Sequence, residues 1–479
     1  MNERMLANSQ EQTGTLMDSF YSFIHKQEFS SMLPNHRSLE RLKHSSVKTW
    51  VLAAVAAMIP GVLFASDWGQ FRGPAGNGIA EVSGTPTDFS SGQFAWQTEI
   101  PGVGWSSPVI AGNQIWLTTA ETVAASEDEL KEKKKGIQFA KIKTAAGKVT
   151  LRAICVDSEN GQIIHNIKLA FVDDPDMINP LNSYASPTAV IQDGNVICHF
   201  GSYGTWSLNR ESGDINWKTA LVVDHSVGPG SSPIVSGENV LIVCDGIDQQ
   251  YVAALNTQTG KQQWKTNRPP MKATNGEFRK AYSTPLIIEV AGQVQAVIPG
   301  SQWTCAYDPQ TGDELWRVNC GDGFSTTPMA VYESGLVVSS TGFMVPELVA
   351  INPEGRGDIT KTNIAWRSKQ GGSTMPTAVA KAGLLYSISA KGILTVLNAK
   401  TGKVEDRQRI GGNFASSPLL TNDALYLASQ EGVMTVLKPV TLDKLSSTKM
   451  DSSLMASPAI LGKDIIVRTE KMLTRIRSK

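Results

Sequence analysis

The sequence predicts an all-β fold, an eight-bladed β-propeller of four-stranded blades, on three observations: a turn motif that recurs, a proline landmark that recurs with it, and a landmark spacing that matches one blade. The clearest motif copy carries Ala306, Asp308, Thr311, Gly312 and Trp316. A second places Ala254, Asn256, Thr259, Gly260 and Trp264 at the same intervals, and a third Ser207, Asn209, Ser212, Gly213 and Trp217. Two more, Cys155, Asp157, Asn160, Gly161 and Leu397, Asn398, Thr401, Gly402, keep the turn without the tryptophan. An Asp or Asn side chain bonds its own backbone two residues on, and Gly accepts positive φ. Alternating apolar residues on both sides then read as paired strands. The tryptophan supplies a large apolar face for the gap between repeats.

The second landmark is a proline opening an apolar strand, at Pro108, Pro187, Pro233, Pro285, Pro328, Pro376, Pro418 and Pro458. Apart from a longer first interval, successive landmarks lie roughly 40 to 52 residues apart, about one four-stranded blade. Blade five carries a looser motif around Asn352 with its tryptophan delayed to Trp366, and blade seven loses the Thr-Gly turn near Pro439; both keep their strands. The last blade, from Ser457 onward, has room for three strands only. The isolated pattern from Phe94 to Ile100 is therefore expected to supply the fourth, closing the ring and removing its free edges.

These repeats resemble the quinoprotein-type (PQQ-like) β-propeller family, whose blades carry an Ala-x-Asp-x-x-Thr-Gly-x-x-x-Trp motif. Within it, the chain is similar to secreted bacterial members that open on the pattern seen here at Asp67, Trp68, Gln70, Phe71, Arg72, Gly73 and Pro74. The likeness covers residues 67–479 and implies the fold. It implies several functions, since such propellers include dehydrogenases, outer-membrane assembly scaffolds and sensor domains. Family enzymes bind pyrroloquinoline quinone with Ca²⁺, often over adjacent cysteines, and no adjacent cysteine pair occurs here. The catalytic Asp and calcium ligands of those enzymes find no residue-by-residue match.

Residues 1–66 form an amino-terminal extension. The apolar run 50–65, with Arg41, Lys43 and Lys48 before it and Ala65 and Ser66 at its end, reads as a signal peptide cleaved near Ser66 or Asp67, the other reading being an uncleaved anchor. Either makes the chain exported, to the periplasm or beyond. With 44 basic and 44 acidic side chains the net charge is zero, which argues against nucleic acid and leaves membrane attachment to that segment alone. Cys155, Cys198, Cys244, Cys305 and Cys320 lie mostly in apolar strand patterns and read as buried thiols. The insertion 121–150 in blade one contains a capping box at Ser126 and Glu129 followed by lysines, read as a short helix with a solvated face.

In a propeller the d-to-a and b-to-c loops share one face around the axis. The d-to-a loops carry Trp105, Asn182, Tyr184, Asp224, His225, Arg279, Tyr282, Phe324 and Phe414, and the b-to-c loops of blades two to four carry His199, Tyr203, Asp245, Asp248, Gln302 and Trp303. Asn182, Tyr184, His199, Tyr203, Asp224, His225, Asp245, Asp248, Arg279, Tyr282, Gln302 and Trp303 form the candidate binding face. Aromatic faces with a few placed donors and acceptors suit a polar, ring-bearing ligand, while the same residue types also lock loops. His199 and His225 with Asp224 are a candidate proton-transfer or metal group, and Asp245 with Asp248 a candidate calcium pair. No catalytic residue, resident metal or phosphate loop is assigned. The function expected is a binding scaffold for a protein or glycan through this face; the alternative is a quinone-dependent oxidoreductase with its site there.

Overall fold

The structure, a computed structural model, describes residues 67–344 and 346–478, and the signal-peptide reading lies outside them. Eight sheets, each built on four antiparallel strands, follow one another along the chain. The first blade spans 109–172, the second 190–219, the third 234–267, the fourth 286–319, the fifth 331–368, the sixth 379–409 and the seventh 419–449. The eighth takes three strands from the carboxyl end, Ala459–Leu461, Asp464–Arg468 and Met472–Ile476, and its outer strand, Phe94–Glu99, from the amino end. Phe94–Glu99 pairs antiparallel with Met472–Ile476, so the ring is closed by the strand that the sequence left unpartnered.

The turn motif works as its spelling implies. Asn256 Oδ1 accepts from Gln258 and Thr259 N–H at 3.2 and 3.0 Å, and Asp308 Oδ1 from Gln310 and Thr311 at 2.8 and 3.2 Å. In four of the five copies the glycine that ends the turn receives the tryptophan of the preceding blade, while Gly213 meets Ile167 and His165 instead. A Cβ on Gly260 would sit 2.5 Å from the Trp217 ring, on Gly312 2.5 Å from Trp264, on Gly402 2.6 Å from Trp366 and on Gly161 2.7 Å from Trp96. Each indole N–H also donates across the gap, as from Trp217 to Thr257 O at 2.9 Å and from Trp96 to Ser158 O at 2.8 Å. Blade five departs from the pattern: Gly357–Asp358 pairs in parallel with Trp316 and Arg317, adding a fifth strand to blade four's sheet.

The proline landmarks mark an inner ring. Two residues before the innermost strand of each blade stand Ser107, Thr188, Ser232, Thr284, Met329, Thr377, Ser417 and Ser457. Each hydroxyl of this set accepts the N–H of the equivalent residue in the preceding blade: Ser107 to Thr188, Thr188 to Ser232 and Ser232 to Thr284 at 2.9 Å, Met329 to Thr377 at 2.9 Å, Thr377 to Ser417 at 3.0 Å, Ser417 to Ser457 at 2.9 Å, and Ser457 back to Ser107 at 3.0 Å. Met329 has no hydroxyl, and blade four reaches blade five through Ser283 Oγ to Pro328 O at 2.9 Å. Each such bond contributes on the order of 1 kcal/mol.

The opening Asp67–Pro74 pattern lies across the inner strands on the side of their a-to-b turns. Trp68 O accepts from Ile110 N at 2.9 Å and Gly69 O from Ile191 N at 2.7 Å. The fully buried Arg72 donates to Thr377 O at 3.2 Å and Ala378 O at 2.6 Å, and burial brings its guanidinium down to about 9. All five cysteines are buried and free, and burial raises their thiols. Among the described residues no helix is long and apolar enough to cross a membrane.

Candidate functional site

A cavity of 1070 Å³ opens at the axis on the d-to-a face. Its deep wall is the hydroxyl ring, all seven members of which line it, and Phe71 of the amino-terminal pattern reaches it from the other side. Trp105 and Tyr282 line the wall above. The Trp105 Nε1 is buried and has no hydrogen-bond partner among the described residues.

The mouth carries an aromatic arc. Phe139 lies 6.3 Å from Phe278, Phe278 4.9 Å from Phe324, and Phe324 5.8 Å from Phe343, centroid to centroid. Phe139 is 47% exposed, Phe343 51% and the neighbouring Met344 70%, with Ile142 and Leu181 exposed on the same rim. Side chains of this size left in water side by side mark an interaction surface more often than a scatter of single exposed residues does.

Phe139, Ile142 and Lys143 all belong to the 121–150 insertion. Its helix, Glu127–Lys133, has the capping box expected, Ser126 N–H reaching Glu129 Oε2 at 2.7 Å and Glu129 N–H reaching Ser126 Oγ at 3.2 Å, and it is solvated. Beyond it the chain folds over the mouth. Thr144 and Ile178 exchange backbone bonds at 2.8 and 2.7 Å, which delivers Lys143 to the cavity.

There Lys143 meets a carboxylate from blade four's entry loop. Its Nζ donates to Glu277 Oε1 and Ser226 Oγ, both at 2.8 Å, and Lys280 Nζ donates to Glu277 Oε2. Lys143, Glu277 and Lys280 are each at least nine-tenths buried. Burial opposes the Glu277 charge, yet the hydrogen bonds from Lys143 and Lys280 hold its carboxyl below the usual range; burial lowers Lys280 despite Glu277.

Of the twelve residues expected at this face, Asn182, Tyr282 and Gln302 line the cavity. The other nine do not line it, and Tyr184, Tyr203, Asp248, Arg279 and Trp303 act as struts in its loops. Tyr184 donates to Asp176 O at 2.9 Å and Tyr203 accepts from Asp176 N–H at 2.8 Å. Asp248 caps Asp224 N–H at 2.8 Å, Arg279 holds Ala273 O at 2.7 Å, and Trp303 holds Pro270 O at 3.0 Å. Asn182 also braces blade three, donating to Val227 O and Pro229 O at 2.9 and 3.1 Å.

The two metal-type groupings are accounted for otherwise. Asp245 is fully buried and held by Arg268, Nε to Oδ1 at 3.0 Å and a terminal nitrogen to Oδ2 at 2.7 Å, while Arg268 continues to Ile298 O at 3.1 Å in blade four. Against the pull of burial, Asp245 holds that guanidinium above its ordinary value. Asp245 is therefore a clasp between blades three and four, its carboxylate taken up by Arg268. His199 Nδ1 pairs with Thr205 Oγ1 at 2.8 Å, and both ring nitrogens of the buried His225 are without partners among the described residues. Burial brings His199 down to about 3, with His225 adding to the effect, and brings His225 down to about 4 although Asp248 opposes. Among the described residues no three His, Cys, Asp or Glu side chains gather as a metal would require.

Sequence reasoning passed over Glu277, Phe278 and Lys280, although they flank Arg279 in the same loop and share a stretch with Tyr282. It also passed over Phe139 and Lys143, because a charged insertion carries no periodicity that says where it folds back.

A search of curated proteins finds no sequence match. The structure of BamB from Moraxella catarrhalis superposes with a TM-score of 0.52 at 12% identity, covering 80% of this chain and 98% of that one. A quinohemoprotein alcohol dehydrogenase, ADHIIG from Pseudomonas putida HK5, superposes with a TM-score of 0.57 at 12% identity, covering 87% and 80%. At that identity both are likenesses of fold. The family described as outer membrane protein assembly factor BamB matches residues 85–266 and 300–476. These spans make up most of the propeller, and the chain belongs to that family.

Proposed function

We propose that this chain is a non-catalytic, exported binding scaffold that takes an apolar protein segment at the d-to-a and b-to-c face. The observation that carries the reading is the arc of exposed Phe139, Phe278 and Phe343 with half-buried Phe324 around the cavity mouth. Such rings supply stacking and burial to an incoming segment, and aromatic anchors carry a large share of binding energy in protein interfaces. Membership of a family described as an outer membrane assembly factor supports a protein partner over a glycan. An amidated peptide with alternating aromatic and polar residues, followed by fluorescence anisotropy, tests it. Replacing Phe139 and Phe343 together with Ser is expected to weaken binding at least tenfold, and unchanged affinity in the folded double variant would sink the reading.

The rival is an oxidoreductase holding pyrroloquinoline quinone and Ca²⁺ in the same cavity. Its donor set is a poor fit: Glu277 is already held by two ammonium groups, Asp322 is the other carboxylate lining the cavity, and a calcium ion takes six to eight oxygens. Calorimetric titration of the full chain with both, giving a stoichiometric complex, would bring that reading forward.

A further inference from the structure

We propose that Lys143 and Lys280 form a carboxylate-binding subsite on the cavity wall, which takes the acid group of an aromatic or apolar ligand whose body lies against the arc. The inference deepens the scaffold reading by naming what the cavity holds.

Three observations carry it. The first is a surplus of donors. A lysine ammonium has three N–H groups and no acceptor. Lys280 Nζ is paired with Glu277 alone, and Lys143 Nζ with Glu277 and Ser226. Buried as both side chains are, each ammonium keeps an N–H beyond these bonds, and an incoming oxygen that accepts it makes a hydrogen bond otherwise left unmade. The second is charge. The groups lining the cavity are Lys143, Lys272 and Lys280 against Glu277 and Asp322, one positive charge in excess. Asp224 reaches both buried lysines through the field, but its Oδ1 accepts Ser226 N–H at 2.7 Å. The third is the unpartnered Trp105 Nε1, a buried donor on the same cavity that also lacks an acceptor among the described residues.

An oxygen anion at the two lysines answers the first two, Trp105 Nε1 is a further donor on the same cavity, and the attached body has a place prepared. The same cavity is lined by Phe139, Phe278, Phe324 and Phe343, so a carboxylate carried on an aromatic or aliphatic frame suits it better than a free inorganic anion. Pairing in a site of low dielectric makes the charged hydrogen bond stronger than it is in water. Glu277 shows the arrangement already, its two oxygens shared between the two ammonium groups.

Two sources of such a group exist, the carboxyl terminus of a peptide and a free aromatic acid, and the test separates them. The full chain is titrated by calorimetry with acetyl-Leu-Phe as free acid, the same dipeptide as amide, and 3-phenylpropanoate. The free-acid dipeptide is expected to bind at least tenfold tighter than the amide, with 3-phenylpropanoate matching it if a small acid suffices and falling behind if the peptide frame contributes. Lys280→Met is expected to abolish the acid preference and Lys280→Arg to keep it. Glu277→Gln, which removes the carboxylate charge and leaves one acceptor oxygen for the two ammonium groups, is expected to tighten acid binding. Equal affinity for acid and amide, no binding of either acid, or an acid preference that survives both K280M and K143M in folded protein overturns the proposal. The amidated strand peptide used for the arc carries no terminal carboxylate, so its failure and the failure of this subsite are read separately.

Discussion

His225 shows how a residue chosen for chemistry can instead report on folding. Both ring nitrogens are unpartnered among the described residues, and burial holds the ring neutral with a folded pKa of about 4. The unfolded chain takes up a proton near 6.5, so native stability falls as pH drops through the window from 6.5 to about 4. Between pH 6.5 and 5 the loss is about 2 kcal/mol for this ring, and His199, brought down to about 3, contributes in the same direction. His225→Leu is expected to change stability little at pH 7 and to flatten the decline toward pH 5. Urea unfolding at the two pH values reads this directly; an unchanged decline would mean that other groups set it. Lys143 makes the converse point. It lies beyond the helix read as solvated and was not singled out, and its burial became visible only once blade three and blade four's loops were in place, because Ser226 and Glu277 lie 83 and 134 residues away.

At the scale of elements, the unit of stability is the joint between blades. The Asp or Asn turn presents a glycine, and the preceding blade's tryptophan lies on it. Gly260 has φ +67° and its Cβ position is 2.5 Å from the Trp217 ring, so Gly260→Ala meets both backbone strain and overlap. The expected loss is about 3 kcal/mol. Gly292 has φ +78° with nothing near its Cβ position, so Gly292→Ala isolates the backbone part, about 1 kcal/mol. Equal losses in denaturant titrations of the two variants would show that the tryptophan yields. These joints were legible in the sequence because the motif is local: capping, turn and tryptophan all lie within 11 residues in the copy from Ala306 to Trp316. The hydroxyl ring was only half legible. The proline landmarks drew attention to the right segments, but the common feature is the residue two before the strand, and its partner is always in another blade.

The whole molecule is held closed by one strand far from its partner in sequence. Deleting residues 94–99 leaves Met472–Ile476 as an exposed edge, and the expected result is loss of the monomer to aggregates in size-exclusion chromatography with a large fall in Tm. A monomeric deletion variant with an unchanged Tm would show that closure is dispensable. The opening pattern from Asp67 to Pro74 contributes to the same closure, with Trp68, Gly69 and Arg72 bonded to blades one, two and six.

By itself the sequence determined the repeat, the number of blades, the closing strand and the face on which loops converge. Each follows from short-range chemistry repeated at a regular interval: turns that only certain residues make, and strands that must bury one another. The tertiary structure alone decided which loop residues reach the axis. Of the face expected, Asn182, Tyr282 and Gln302 line the cavity, while the aromatic arc and the two lysines come from the insertion, the entry loops of blades four and five and the b-to-c loop of blade five. Those loops have no period, and their course is set by contacts with other blades, above all the buried carboxylate of Glu277 that gathers Lys143 and Lys280 around it.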